Sequence, residues 1–289
     1  RDSSPELAQA LEDLRRLVAE RPELAAPGRT LGRVLVAAFG PPGVPTRPPP
    51  RAADAVGRLA EIVRLWSSGH PGSRAGFPVV GSDPDPDLGR RSRAICQALR
   101  ADNPAAAALD RFLRRDPGPW AAAAAGFFAG LPDDLEHVAG RAGVDPGLAA
   151  AVMRLALLPV LAPCWVALAP HLPEGGWTGG RCPFCGRPPL LAEARGLEQR
   201  RVLRCGLCAA SWPADRLRCP ACGESDPRVL LHRFVAGQES RHRLVQCEAC
   251  GSGLKVVSTL GPLSAPGLLV ADLATVHLDL IGEAEPPGT

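Results

Sequence analysis

The chain of 289 residues has no tyrosine, one methionine and a single lysine, Lys255, among its 33 basic residues, and aromatic side chains make up only 4% of it. The replacement of lysine by arginine reads as a nucleotide-composition bias and carries no functional weight. No phosphate-binding loop, dinucleotide fingerprint or Ser-His-Asp arrangement occurs, which removes the usual signatures of nucleotide-dependent enzymes and serine hydrolases. A large excess of one charge is also lacking. The formal net charge of +3 fits neither a polybasic nucleic-acid binder nor an acidic tail. There is no uninterrupted apolar span either. Residues 155–173 lack acidic and Lys or Arg side chains, but carry prolines at 159, 163, 170 and 173 and are bounded by Arg154 and Glu174. Such a run is expected as a buried core helix and not as a membrane span. The opening RDSSPELAQALEDL is polar and helical instead of signal-like, so the thiols are expected to be reduced and the protein cytoplasmic.

What is present is an ordinary globular composition, 46% hydrophobic and 22% charged, enough for one to three domains. The first 175 residues show helical spacing without a competing strand pattern. Ser3 and Ser4 before Pro5 and Glu6 supply a cap and a first-turn proline, and Leu7, Leu11, Leu14, Leu17 and Val18 then recur on one face. A second helix is predicted from about Thr30 to Phe39. Six prolines in residues 41–50 predict an extended connector, and helix resumes near Arg51 with Val56, Leu59, Ile62, Val63 and Trp66 aligned. Further helices are predicted at about 88–101, 104–115, 119–130, 133–142 and 146–169, giving an all-α bundle of six to eight helices. The glycine-rich stretch 175–180 marks a boundary, after which short strand-like runs alternate with cysteines. The predicted organisation is a helical bundle domain at 1–176, a first metal ribbon at 177–215, a second at 216–258, and a C-terminal helix with a frayed tail at 259–289. The helix itself is expected over Leu268–Ile281.

Eight of the ten cysteines form four CxxC pairs: Cys182/Cys185, Cys205/Cys208, Cys219/Cys222 and Cys247/Cys250. A CxxC turn places two sulfurs on one side of the backbone, so it supplies half of a tetrahedral four-sulfur site. Four turns make two sites. The stretches of nineteen and twenty-four residues inside the first and last couples hold a hairpin each, whereas the ten residues between Cys208 and Cys219 only pass from one site to the next. One site is therefore predicted from Cys182, Cys185, Cys205 and Cys208, and the other from Cys219, Cys222, Cys247 and Cys250. The two cofactors expected are metal ions, iron or zinc, since both accept a thiolate cage. Glycine follows the second ligand at Gly186, Gly223 and Gly251, as a left-handed turn residue would require. Ala209 holds that place in the second turn, which is expected to be the least regular. The cysteine spans 182–208 and 219–250, 27 and 32 residues long, are each shorter than the roughly 40 residues that an apolar core alone can support, so metal is expected to contribute to folding.

The runs CPFCGRPPL, RRVLRCGLCAASW, RLRCPACGESD and VQCEACGSGLKVV, with the tail ADLATVHLDL, resemble the formate dehydrogenase accessory protein family FdhE over about residues 181–281. The resemblance implies a helical domain followed by two rubredoxin-like ribbons. It also implies a cytoplasmic, non-enzymatic maturation factor that binds the formate dehydrogenase catalytic subunit, with the eight pair cysteines as metal ligands and iron among the metals found there. Trp212 matches the tryptophan after the second pair, and Asp272 and Asp279 match acidic tail positions.

Other readings of the residues remain alongside. Four-sulfur sites without an open position are most often structural, and a rubredoxin-like redox role is the other use of such a cage. A nucleic-acid-binding zinc ribbon would use Arg200, Arg201, Arg204, Arg216, Arg218, Arg241 and Arg243. Against it, the +6 formal charge of residues 181–258 falls to about +2 once eight thiolates and two divalent ions are counted. His232 and His242 are expected at the surface, Cys96 and Cys164 as small buried hydrophobes, and Trp212 as a lid on the first site or an exposed contact. Asp272, His277 and Asp279 read as a solvated or partner-facing stripe. No oligomeric state is implied.

Overall fold

A computed structural model describes residues 4–40, 59–72, 86–173, 176–235 and 237–284. The proline-rich connector, the expected helix start at 51–58 and the chain end at 285–289 lie outside them. Among the described residues eight helices precede the sheet: α1 (Pro5–Glu20), α2 (Ala25–Phe39), α3 (Leu59–Ser67), α4 (Pro86–Leu99), α5 (Ala105–Arg115), α6 (Gly118–Ala129), α7 (Asp133–Ala142) and α8 (Pro146–Leu168). The Ser4 hydroxyl caps α1 by accepting from the Leu7 N–H at 3.3 Å, and Asp145 caps α8 in the same way from Leu148 at 3.2 Å. Helix α2 begins five residues before the predicted Thr30. Gly28 in α2 is a contact residue: a Cβ there would come within 2.5 Å of Val18 Cγ2, so glycine lets α1 and α2 pack closely.

Helix α8 continues through Pro159 and Pro163 and buries most of its side chains, among them Val152, Met153, Leu158, Leu161 and Leu168. With the short turn that follows, it is the one described helix long and apolar enough to cross a membrane, apart from a bent pair in the tail, and more than half of its apolar window is enclosed by protein. Cys96 and Cys164 are buried, and burial pushes the Cys96 thiol up to about 12.

The six strands are β1 (Leu191–Arg195), β2 (Arg200–Arg204), β3 (Ser211–Pro213), β4 (Leu230–Arg233), β5 (His242–Cys247) and β6 (Gly253–Thr259), in the order β3-β2-β1-β6-β5-β4. Each ribbon is an antiparallel three-stranded unit, one strand more than the expected hairpin. The two units are not separate, however. Parallel pairing of β1 with β6, from Ala192 opposite Val256 to Arg195 opposite Thr259, joins them into one sheet. The helical half packs directly on the first ribbon. Phe184 lies edge-on to Phe128 at 5.1 Å and near Trp165 at 6.4 Å, while the carbonyl of Pro183 accepts from Trp66 Nε1 at 2.8 Å and from the Gly72 N–H at 2.7 Å. One hydrophobic core runs through both halves.

The seam between the ribbons is held by Glu193, which is fully buried in β1. Its carboxylate accepts from Arg195 at 2.9 and 3.0 Å, from Arg204, from Thr259 Oγ1 at 3.1 Å and from the Leu263 N–H at 3.1 Å. Burial works to raise its pKa, but the Arg195 and Arg204 guanidiniums outweigh that and hold the carboxyl below its usual range.

The tail is two helices instead of one: α9 (Ala265–Ala274) and α10 (Val276–Ala284), bent by 51° about Thr275. Asp272 and Asp279, expected as a solvated stripe, both accept from Lys255 Nζ, at 2.6 and 2.8 Å. The lone lysine, on β6 and largely buried, thus staples both tail helices to the sheet. Arg21 at the end of α1 bonds the Ala274 carbonyl at 2.8 Å and lies 3.1 Å from His277 Nδ1. His232 is exposed as expected. His242 is not a surface residue: it is half-buried beside His277, with ring centres 6.4 Å apart. Burial, then the charges of His277, Arg21 and Arg241, depress its pKa to about 4.

Two expectations follow from these contacts. Glu193→Gln leaves Arg204 buried without its counter-charge and is expected to cost about 3 kcal/mol, read from urea denaturation of the metal-loaded protein. For His242, the folded group takes a proton near pH 4 and the unfolded one near 6.5, so the unfolded chain binds more protons in that interval. Stability is therefore lost as pH falls from 6.5 towards 4, by about 1–2 kcal/mol after allowance for partial exposure. His242→Gln should flatten that part of a Tm-against-pH profile.

Candidate metal centres

The turns at Cys205 and Cys247 begin at the ends of β2 and β5, and all four are closed by the same two backbone hydrogen bonds. The first cysteine N–H donates to the carbonyl five residues on: Cys182 to Arg187 at 2.8 Å, Cys205 to Ala210 at 2.9 Å, Cys219 to Glu224 at 2.7 Å and Cys247 to Ser252 at 2.9 Å. The N–H of the residue after the second cysteine returns to the first cysteine's carbonyl: Gly186, Ala209, Gly223 and Gly251, at 2.9, 3.1, 2.9 and 2.8 Å. All four of these residues have positive φ, from 53° at Ala209 to 83° at Gly223. The turn ending in Ala209 is therefore as regular as the others, contrary to expectation, because the hydrogen bonds hold alanine in a conformation that it adopts only at a cost.

The sulfurs gather into the two groups that sequential pairing of the turns predicts, each with its ligand atoms within 4.8 Å of one another. In the first, Cys182 and Cys208 are 3.5 Å apart, Cys185 and Cys205 3.4 Å, and Cys185 and Cys208 3.8 Å. In the second, Cys219 and Cys250 are 3.8 Å apart and Cys222 and Cys247 3.7 Å. A metal with ~2.3 Å bonds to four tetrahedral sulfurs has edges of about 3.8 Å, so a tetrahedral ion fits both groups, while a disulfide needs about 2.0 Å. Backbone N–H groups of Cys185, Leu207 and Ala221 point at Cys182, Cys205 and Cys219 at 3.4–3.5 Å, as thiolates favour.

The two cages differ in their surroundings. All four cysteines of the first are buried; in the second, Cys222 and Cys250 are exposed. The residue inside the first turn, Phe184, carries the contact with α6 and α8, whereas the corresponding residues of the second cage, Ala221 and Ala249, are exposed. In the first cage burial pushes Cys182 and Cys208 up, while Cys205, hydrogen-bonded by Cys182, Cys185 and Cys208, is held well down. In the second, burial is outweighed by the Ser252 hydroxyl and the backbone N–H groups of Cys222 and Ala221, which bring Cys219 down to about 6. The sequence reading overlooked Ser252, whose Oγ lies 3.4 Å from Cys219 and 3.1 Å from Cys250; its place just after the CEACG turn was the available signal. Trp212 is not an exposed contact; it belongs to the same buried cluster as the four cysteines of the first cage. It is buried opposite Leu203, and its Nε1 donates to the Gly179 carbonyl at 3.0 Å.

Four of the seven arginines considered for nucleic acid are held by other groups. Arg204 is spent on Glu193, Arg200 lies 3.5 Å from Glu198 and Arg241 3.5 Å from Glu20, and Arg218 Nε donates to the Gly223 carbonyl at 3.1 Å.

Helices and a cysteine-bearing sheet on one core define a helical protein with a double four-cysteine ribbon. No protein-family model matches the chain. It is 31% identical over 122 residues to an FdhE homolog of Edwardsiella ictaluri, covering 40% of this chain and 39% of that one. It is 36% identical over 104 residues to an FdhE homolog of Stutzerimonas stutzeri, covering 35% and 33%. These matches thus span only a third to two fifths of the curated relatives' length. The crystal structure of the FdhE protein from Pseudomonas aeruginosa matches at a TM-score of 0.60 and 22% identity, over 98% of this chain and 92% of that one, a likeness of fold. The chain is thus similar to FdhE proteins in sequence over part of its length and in fold over nearly all of it.

Ala209→Gly removes the left-handed penalty in the second turn and is expected to stabilise the metal-loaded protein by about 0.5–1 kcal/mol, read as a rise in Tm.

Proposed function

We propose that this protein is a non-catalytic, cytoplasmic accessory factor for formate dehydrogenase that binds the enzyme's catalytic subunit. The observation that supports this most is the fold likeness to an FdhE protein over nearly the whole chain, joined to the sequence likeness to FdhE homologs. In this reading Cys182, Cys185, Cys205 and Cys208 hold one metal ion and Cys219, Cys222, Cys247 and Cys250 another, iron or zinc. The bound ions would neutralise clustered thiolates and fix the four turns. The first ion, enclosed between helices and sheet, has a structural role, and the second, with two ligands at the surface, lies where a partner reaches it. Helical half and sheet act as one body because they share a core. The division into a helical domain at 1–176, ribbons at 177–215 and 216–258 and a tail from 259 is retained as a description of sequence modules.

The tests are direct. Tagged protein is expected to co-purify with the formate dehydrogenase catalytic subunit, and its deletion to lower formate oxidation; failure of both overturns the reading. Metal analysis is expected to give two ions per chain. A chelator is expected to remove one of them first, and Cys222→Ser to abolish that fast phase while Cys182→Ser abolishes the slow one.

A further inference from the structure

The sheet gathers positive charge at one place where, among the described residues, no ion pair answers it. Arg201 on β2 is opposite Ala194 on β1, which is opposite Ser258 on β6. Two residues back, Val256 is opposite Arg243 on β5, and two residues on from Arg243, Val245 is opposite His232 on β4. Side chains repeat every second residue, so Arg201, Arg243 and His232 share one face of the sheet. The exposed Arg216, on the loop after β3, donates Nη1 to the Glu198 carbonyl at 3.4 Å and adds its charge to that of Arg201 and Arg243. Among the described residues none of the three arginines has an ion-pair partner, although neighbouring arginines 195, 200, 204, 228 and 241 all do.

The donors there are partly unused. Arg243 Nε is buried without a hydrogen-bond partner. Arg201, only 5% exposed, donates Nη1 to the carbonyls of Asp215 and Arg218 at 3.1 and 3.2 Å. The Asp215 carboxylate accepts from the Leu217 N–H at 2.9 Å and forms no ion pair with Arg201. After burial, Arg243 and Arg216 lower the pKa of Arg201, with Asp215 and Cys219 opposing them only in part, and Arg243, Arg201 and Arg216 lower that of His232, so the four groups feel one another. Like charges held together with a buried unused donor are costly unless an anion joins them.

We propose that Arg201, Arg216, Arg243 and His232 form a binding site for a compact phosphate-type oxyanion, free or at the end of a phosphomonoester. Forked guanidinium donors match such oxygens two at a time, three positive charges match a dianion, and the neutral His232 ring adds an N–H.

The test uses full-length, metal-loaded protein at low salt, titrated calorimetrically with inorganic phosphate, adenosine 5′-monophosphate and an eight-nucleotide oligothymidylate. One-to-one binding of inorganic phosphate is expected, weakened at least tenfold in Arg243→Gln and in the exposed Arg216→Gln, and largely kept in Arg243→Lys. Tighter binding of the monophosphate, lost in the same variants, assigns the site to a phosphomonoester; equal affinity assigns it to the free ion. The proposal is overturned if phosphate does not bind at 10 mM, if both Gln variants bind it as the wild type does, or if only the oligonucleotide binds. Release of metal from Arg243→Gln without phosphate binding by the wild type also overturns it, since the arginines would then be counter-charge for the second cage.

Discussion

The architecture depends on one buried carboxylate. Glu193 stands in β1, the strand that closes the first ribbon against the second, and its two oxygens take donors from β1, β2, β6 and the start of the tail. A lone charge there would be untenable, so the seam exists only with its arginines in place. Once β1 and β6 pair in parallel, the two cysteine cages are fixed relative to each other, and β6 carries Lys255 to where Asp272 and Asp279 meet it. The tail then returns to α1 through Arg21. The seam thus ties both ribbons, the tail and the beginning of the chain into one frame.

Within that frame the two cages are chemically alike and physically unequal. The four turns share their hydrogen bonds and left-handed closing residue, so the sulfurs sit at similar separations in both. What differs is cover. An aromatic between the ligands of the first cage anchors it in the helical core, and alanines in the second leave two of its sulfurs at the surface. Burial slows ligand loss and solvent access, so equal ligand sets suit unequal tasks.

Much of this was legible beforehand where the signal is local. Helical spacing with caps located α1 and α8, and CxxC spacing located both sulfur groups, because each needs only a few neighbouring residues. Failures came where a distant partner decided the outcome. His242, expected at the surface, is covered by His277 of α10. Asp272 and Asp279 looked like a free stripe because Lys255 lies far enough away in the chain to leave no periodic trace.

The sequence by itself determined the helical first half, the four turns and the way their eight sulfurs pair, since helix periodicity and turn geometry act over a few residues. Only the tertiary structure decided that the ribbons form one sheet, that one cage is enclosed and the other open, and that three arginines converge without an ion pair among the described residues. Those outcomes depend on which strands meet edge to edge and what covers each face, and pairing across tens of residues is set by packing that no local pattern encodes.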